Sequence, residues 1–202
     1  RAYHAMKRQN MSAMVDGERV YTGDAFRTLQ DVVGLKRAAP GAKVLLCIDW
    51  KTDEGTYTSA EESEEYKADR VGPKPMFEKY DEVLALACML DDVYVAGAYG
   101  AEADEVIVSL AAKLSARGER VLMFARDKDT CQAVSGDRVV KADKVRGGAV
   151  VRPLDEGGVV EKYGCPPSSM AMYQAIVGDK VDGVVRYPRF MSKYAALLAS
   201  KY

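Results

Sequence analysis

The sequence contains no apolar run approaching the roughly 20 residues needed to span a bilayer, so we expect no membrane-spanning segment. It contains one histidine, and its four cysteines (Cys47, Cys88, Cys131 and Cys165) lie far apart without a CxxC pair. This spacing disfavours a zinc site and predicts reduced intracellular thiols. Positive charge is not in excess either, because the formal net charge is −1. A nucleic-acid partner would therefore need a local basic patch.

What is present is the composition of an ordinary globular protein: 202 residues, of which 48% are hydrophobic and 29% charged. This length suits one domain, or one domain with a small appendage. Apolar, strand-like segments alternate with helical patterns, which is typical of an α/β fold whose parallel sheet is covered on both faces. Strands are predicted at residues 44–48, 93–95, 121–124, 138–140 and 149–151, and helices at 23–35, 76–90 and 102–114.

After Pro153 the pattern changes to short helical segments at 158–163, 169–177 and 192–200. We therefore predict an α/β core over residues 1–152 and a helical segment over residues 153–202. Residues 52–65 are polar and acidic without periodicity, which predicts a mobile loop.

Acidic residues follow the predicted strands. Three come directly after a strand, three open a helix after the strand at 93–95, and two lie three positions apart in a later turn. They are Asp49, Asp127 and Asp129; Glu102, Asp104 and Glu105; and Asp179 and Asp182. In an open parallel sheet the carboxyl ends of the strands form one edge, where ligands bind. We therefore expect these carboxylates to converge there.

Carboxylates gathered in this way repel one another, and protons or cations must compensate. Oxygen donors with almost no histidine or cysteine select hard ions such as Mg²⁺ or Mn²⁺. Two such ions about 4 Å apart can activate a water and stabilise the leaving oxygen of a phosphodiester. The pattern predicts metal-dependent phosphodiester hydrolysis.

Simpler explanations exist for single members of this set. Glu102 or Glu105, taken alone, can equally be a helix cap or dipole partner. Asp49, taken alone, is better explained by turn chemistry. The metal hypothesis depends on agreement between several strand ends.

Basic and aromatic residues give a complementary pattern. The run from Tyr66 to Arg70 places a ring beside Lys67 and Arg70, and Arg1 and His4 stand in a second basic group at the start of the chain. Such residues suit phosphate contacts and base stacking, although a charge run alone is usually a solvated surface. For His4 we expect a structural or substrate-contact role.

The order of these motifs resembles that of the flap endonuclease or 5′-nuclease family, over nearly the whole chain. The family includes the 5′→3′ exonuclease domain of bacterial DNA polymerase I and stand-alone phage exonucleases. The block Gly-Ala-Glu-Ala-Asp-Glu at 100–105, followed by Asp-Lys-Asp at 127–129, is the most specific part. The segment Val-Gly-Asp-Lys-Val-Asp-Gly at 177–183 closes the series.

The resemblance implies a PIN-like α/β fold with a helical arch and a C-terminal helix–hairpin–helix-type segment. It implies two Mg²⁺ or Mn²⁺ ions and a monomer acting on 5′-ended or flap DNA in replication or repair, in the cytoplasm of a bacterium or phage-infected cell. Lys67 and Arg70 would grip the scissile phosphate, and Tyr66 would stack at the junction. The implied metal ligands are Asp49, Glu102, Asp104, Glu105, Asp127, Asp129, Asp179 and Asp182, and the implied DNA contacts also include Arg1 and His4.

The sequence departs from the family at two places. The family carries a further metal-binding Asp in an Asp-Gly motif just before the segment that here begins at Arg1, so we expect a first strand upstream of residue 1. Asp16-Gly17 lies in a loop position and is no substitute. In the hairpin after Asp182 the usual glycines are missing. Arg186, Arg189 and Lys193 are expected to replace that backbone cradle with side-chain charge.

Other functions stay open at this point. The chain could be a catalytically impaired module that binds branched DNA, or a PIN-type ribonuclease. A phosphatase-like hydrolase with an Asp nucleophile would want Asp-x-Asp after the first strand, whereas Asp49 is followed by Trp50 and Lys51.

Overall fold

The computed structural model describes residues 12–21, 23–54, 80–179, 184–187 and 192–201. The chain divides into two compact units. The first consists of Arg1–Leu46, Gly72–Ala96 and Val145–Val150, and the second of Cys47–Val71, Gly97–Lys144 and Val151–Tyr202. The domain boundary expected at residue 152 stays a prediction. Among the described helices, none is long and apolar enough to cross a membrane.

Helices and strands alternate along the chain. In order, they are β1 (Ser12–Val15), β2 (Glu18–Tyr21), α1 (Gly23–Ala38), β3 (Val44–Cys47), α2 (Tyr80–Cys88), β4 (Val93–Ala96), α3 (Ala103–Ala116), β5 (Val121–Phe124), β6 (Val139–Ala142), β7 (Val145–Arg146), β8 (Ala149–Val150), α4 (Glu156–Tyr163), α5 (Met170–Val177) and α6 (Ser192–Ala199). The chain also contains two 3₁₀ turns. Asp129–Ala133 lies between β5 and β6, and Pro167–Ser169 lies directly before α5. The strands pair as β1–β2, β3–β4, β5–β6 and β7–β8.

The first unit is built on a small apolar core between α1, α2 and β4. Val32, Ala87 and Val93 are buried there, and Leu29, Val44, Leu46 and Leu90 pack against them. Its antiparallel hairpin β1–β2 turns at Asp16 and Gly17, both of which have positive φ. The loop position predicted for Asp16-Gly17 is therefore confirmed, although the two flanking strands were not predicted.

The second unit contains the parallel pair β5–β6, in which Met123 lies opposite Lys141. Its core joins α3, β5 and the 3₁₀ turn to the C-terminal helices, and the buried members include Met123, Cys131, Val159 and Met170. These side chains are apolar or weakly polar, so their burial supplies most of the unit's stabilisation. Packing of α5 and α6 onto this core places the C-terminal helices beside the carboxyl end of β5.

Helix ends follow local capping chemistry. Asp155 accepts a hydrogen bond from the N–H of Gly158 at 2.7 Å, so α4 begins at Glu156, before the predicted start at residue 158. After α3, Gly118 has φ +89° and its N–H donates to the carbonyl of Ser115. The helix end predicted at Gly118 is thus confirmed within two residues.

Candidate active site

Asp49 follows β3 and contacts the start of α3. Its Oδ1 accepts a hydrogen bond from the N–H of Ala103, the first residue of that helix, at 2.7 Å. The N–H of Trp50 donates to the carbonyl of Ala101 at 3.0 Å and holds the same two segments together. A carboxylate at this end of a helix interacts favourably with the helix dipole, so Asp49 is fixed in place without a metal ion.

Glu102 and Glu105 cap the same helix. The N–H of Glu102 donates to Oε2 of Glu105 at 2.8 Å, which is half of a capping box. Glu105 therefore has the capping role that the sequence left open. Asp104 lies between these two residues in the first turn of α3.

Asp127 and Asp129 lie where β5 ends. Oδ1 of Asp127 accepts the N–H of Asp129 at 3.0 Å, and the carbonyl of Asp127 accepts the hydroxyl of Thr130 at 2.7 Å. The side-chain amide of Gln174, on α5, donates to Oδ1 of Asp129. No local pattern in the sequence predicts this contact of Gln174, because only the packing of α5 brings its side chain to Asp129.

Asp179 forms an ion pair with Lys128, with 2.7 Å between Oδ2 and Nζ, and both side chains are partly exposed. Burial lowers the pKa of Lys128, but the hydrogen bond and charge of Asp179, with the charges of Asp129 and Asp127, outweigh burial and raise it. The backbone of Asp179 also pairs with that of Val184 through two hydrogen bonds of 2.8 Å. Lys128 lies inside the Asp-Lys-Asp motif, yet the sequence assigned it no role.

The carboxylates after β3, before α3 and after β5 converge on Asp104. This residue is exposed, but protein atoms crowd its carboxyl group. That partial burial, together with the charges of Asp127, Asp49, Glu102 and Asp129, raises the pKa of Asp104 to about 6. Five of the eight carboxylates expected to converge therefore influence one another within the second unit. Glu105 and Asp179 are not among the charges that raise the pKa of Asp104, and Asp182 lies outside the described residues.

Cys47 borders this acidic cluster, which we define as Asp49, Glu102, Asp104, Asp127 and Asp129. Burial and the charge of Asp104 raise the pKa of Cys47 to about 11. The thiol stays protonated at neutral pH, so it is neither a thiolate ligand nor a nucleophile there.

The donor chemistry of the acidic cluster fits a hard divalent cation, because its members are carboxylates whose negative charges act together on Asp104. The positions of these side chains do not match this chemistry. In the part of the chain that the structure describes, no group of three or more Asp, Glu, His or Cys side chains is arranged so that it could hold a metal ion. Protein donors engage oxygens of Asp49, Asp129 and Asp179 instead. The metal-ligand roles stay predictions.

The remaining predicted site residues are basic, aromatic or acidic side chains elsewhere in the chain. Arg186 lies in the exposed segment 184–187 and Lys193 within α6, whose side chain at this position is not described. The others lie outside the described residues: Arg1, His4, Tyr66, Lys67, Arg70, Asp182 and Arg189. The predicted loop at 52–65 also lies outside them beyond residue 54.

Comparison with protein families gives a match over most of the chain. Residues 1–164 match the family model described as the 5′-3′ exonuclease, N-terminal resolvase-like domain. The chain belongs to the 5′-3′ exonuclease family. The match includes every member of the acidic cluster and Lys128, while Asp179 and the hairpin that follows lie beyond it.

Curated relatives agree with this membership in the 5′-3′ exonuclease family. The chain is 37% identical to DNA polymerase I of Rhizobium leguminosarum over 103 residues, 51% of the chain and 10% of the relative. It is 34% identical to the 5′-3′ exonuclease of Aquifex aeolicus over 108 residues, 51% of the chain and 34% of the relative. The 5′-3′ exonuclease of Buchnera aphidicola from Schizaphis graminum is 29% identical over 141 residues, 68% of the chain and 46% of the relative. The matches thus span less than half of each relative.

Solved structures confirm the α/β fold class of this family. A mutant of the T5 5′-exonuclease matches with a TM-score of 0.66 and 15% identity, over 88% of this chain and 66% of that one. The bacteriophage T5 flap endonuclease, in a pseudo-enzyme-product complex with DNA and metal ions, matches with a TM-score of 0.67 and 13% identity over the same shares. At these sequence identities the similarity shows the fold alone.

Proposed function

We propose that this chain is a metal-dependent 5′-nuclease that hydrolyses phosphodiester bonds in 5′-ended or flap DNA during replication or repair. The observation that carries the proposal is the convergence of the acidic cluster on Asp104. Membership in the 5′-3′ exonuclease family supports the reaction, and the DNA complex of the T5 flap endonuclease supports the substrate class. These findings favour neither the ribonuclease nor the impaired binding module.

The cofactors we propose are two Mg²⁺ or Mn²⁺ ions. A T5 protein of the same fold was co-crystallised with metal ions, which supports the proposal. When bound, such ions supply a Lewis acid at the phosphodiester and an activated water. The residues we propose to hold them are Asp49, Glu102, Asp104, Glu105, Asp127, Asp129, Asp179 and Asp182.

The chain's own contacts support particular roles for these residues. Asp104, whose pKa is raised to about 6, would bind a cation as a carboxylate, and below about pH 6 it would have to give up its proton to do so. The N–H of Ala103 orients Asp49, and the Gln174 amide orients Asp129. Release of Asp179 from Lys128 makes a further carboxylate available.

We propose that DNA is held by the predicted basic and aromatic residues. Lys67 and Arg70 stabilise negative charge that develops on the scissile phosphate, and Tyr66 orders the unpaired nucleotide. The remaining contacts in this proposal are Arg1, His4, Arg186, Arg189 and Lys193. We further propose that the protein acts as a monomer in the cytoplasm of a bacterium or phage-infected cell.

A paired measurement tests the proposed function. A 5′-labelled flap substrate is incubated with the chain in Mg²⁺ to follow cleavage, and in Ca²⁺ to follow binding by anisotropy. We expect Asp127→Ala to abolish cleavage and retain binding, while Asp137→Ala, at an exposed acid of the same unit, keeps both. Unchanged turnover in Asp127→Ala would refute its role, and binding without cleavage by the wild-type chain would identify a binding module.

A further inference from the structure

Two exposed aromatic rings stand beside the acidic cluster. Trp50 and Tyr99 are 51% and 55% exposed, although large aromatic side chains normally bury most of their surface. Their ring centroids lie 6.2 Å apart with an interplanar angle of 77°, so the two rings are nearly perpendicular. We call this pair the aromatic corner.

Contacts on the inner side hold the aromatic corner in place. The Tyr99 hydroxyl accepts a hydrogen bond from the N–H of Asp53 at 2.8 Å. A Cβ on Gly97 would lie 2.8 Å from Cγ1 of Ile48, so any larger residue would displace the Ile48 side chain, and it would lie 3.5 Å from Cε3 of Trp50, an ordinary contact distance. The rings are therefore supported from within while their surfaces stay open to solvent.

The chain connects the aromatic corner directly to the acidic cluster. Trp50 follows Asp49, and its N–H bonds to the carbonyl of Ala101, two residues after Tyr99. The next contact along the same two segments is the hydrogen bond from Ala103 to Asp49. The two segments that carry the rings are therefore the same two segments that carry Asp49 and lead into α3.

We propose that the aromatic corner binds an unpaired nucleobase of the DNA substrate by stacking. This inference rests on the proposed function, since it takes DNA as the ligand. Carboxylates repel phosphate when no cation is bound, and stacking adds an attraction that does not depend on their charge. Every base has a π face that stacks on an aromatic ring, whatever its sequence. Two perpendicular rings offer such a base one face to stack on and one edge to contact.

The single tryptophan makes this proposal directly measurable. Trp50 is the only tryptophan in the sequence, so the intrinsic fluorescence of the full chain reports on this ring alone. The chain is titrated in Ca²⁺ with a 5′-flap DNA, and with the same flap carrying abasic residues in its single-stranded arm. We expect the intact flap to quench the fluorescence and the abasic flap to leave it near its starting value.

Variants separate stacking from loop support. We expect Trp50→Ala to weaken flap binding about fivefold to a hundredfold, the range for loss of one stacked base, and Trp50→Phe to restore most of it. Tyr99→Phe, which keeps the ring but loses the hydrogen bond to Asp53, should keep most of the affinity, and Tyr99→Ala should bind weakly. Tyr94→Ala removes a tyrosine of similar exposure on β4 and should have no effect.

Salt dependence adds a second criterion. Because stacking releases no counterions, Trp50→Ala should lower the affinity without changing its slope against salt concentration. Fluorescence that stays constant at saturating flap DNA, or a Trp50→Ala affinity equal to wild type, overturns the inference. If the wild-type chain still cleaves the flap, the proposed function holds even when the stacking inference fails. A wild-type chain that neither binds nor cleaves the flap overturns the proposed function and the stacking inference together.

Discussion

Asp104→Asn should stabilise the metal-free protein at neutral pH. The folded-state pKa of Asp104 is raised from 3.8 to about 6 by partial burial and by four neighbouring carboxylates. A carboxyl with a raised pKa holds its proton more tightly in the folded state, so its ionisation destabilises the fold as the pH rises from about 4 through 6. Asparagine has nearly the same shape and no charge, and it escapes this penalty.

The size of the expected stabilisation follows from the size of the pKa shift of Asp104. Without solvent screening, a shift of this size corresponds to about 3 kcal/mol. Because Asp104 is exposed to solvent, we discount this to about 1 kcal/mol. For a chain of this length, that corresponds to a melting temperature about 2–4 °C higher.

Thermal unfolding in EDTA between pH 4 and pH 8 checks the prediction. Asp104→Asn should melt above wild type at pH 8, and the difference should vanish near pH 4. Asp137→Asn, at an exposed turn outside the acidic cluster, serves as the control and should stay within about 0.5 kcal/mol of wild type. A destabilised Asp104→Asn at pH 8, or a difference independent of pH, would show that the carboxylates do not crowd Asp104.

Two further predictions concern Asp179 and the segment that follows it. Lys128→Met frees Asp179 from its ion pair, so the Mg²⁺ concentration for half-maximal cleavage should fall about twofold to fivefold, the range for a partly exposed pair. Lys113→Met, on the exposed side of α3, should leave this Mg²⁺ concentration unchanged. If the two variants lower it equally, the cause is the net charge of the chain and not the ion pair between Lys128 and Asp179. Gly178→Ala should destabilise by more than about 2 kcal/mol in denaturant unfolding, because φ is +73° and a Cβ would lie 2.5 Å from the backbone nitrogen of Arg186. Gly118→Ala, with φ +89° and open space, should lose only about 1 kcal/mol, and equal losses would mean that Arg186 does not pack there.

Local sequence signals predicted the elements that carry the acidic cluster. The apolar runs before Asp49 and Asp127 form β3 and β5, and the Ala- and Leu-rich stretch after Glu102 forms α3. Their order along the chain, with the rule that strand ends meet at one edge, predicted that these acids lie near one another, although β3 and β5 belong to separate two-stranded pairs among the described residues. The capping role of Glu105 was also readable, since it depends on a spacing of three residues.

Contacts that depend on long-range packing could not be predicted in this way. Gln174 meets Asp129 across 45 residues because α5 packs against the 3₁₀ turn, and Lys128 meets Asp179 by the same packing. Both contacts change what the carboxylates do, since a protein donor engages each one. The hairpin β1–β2 was missed for a different reason: its strands have only four residues each, and two of the four in β2 are charged.

The central claim is that the acidic cluster takes up divalent cations. Titration of the metal-free chain with Mn²⁺, followed by electron paramagnetic resonance of the free ion, tests it without DNA and without turnover. The account predicts saturable binding by the wild-type chain, strongly weakened in Asp104→Asn and unchanged in Asp137→Asn. Absence of saturable binding at millimolar Mn²⁺, or equal binding by wild type and Asp104→Asn, would contradict it.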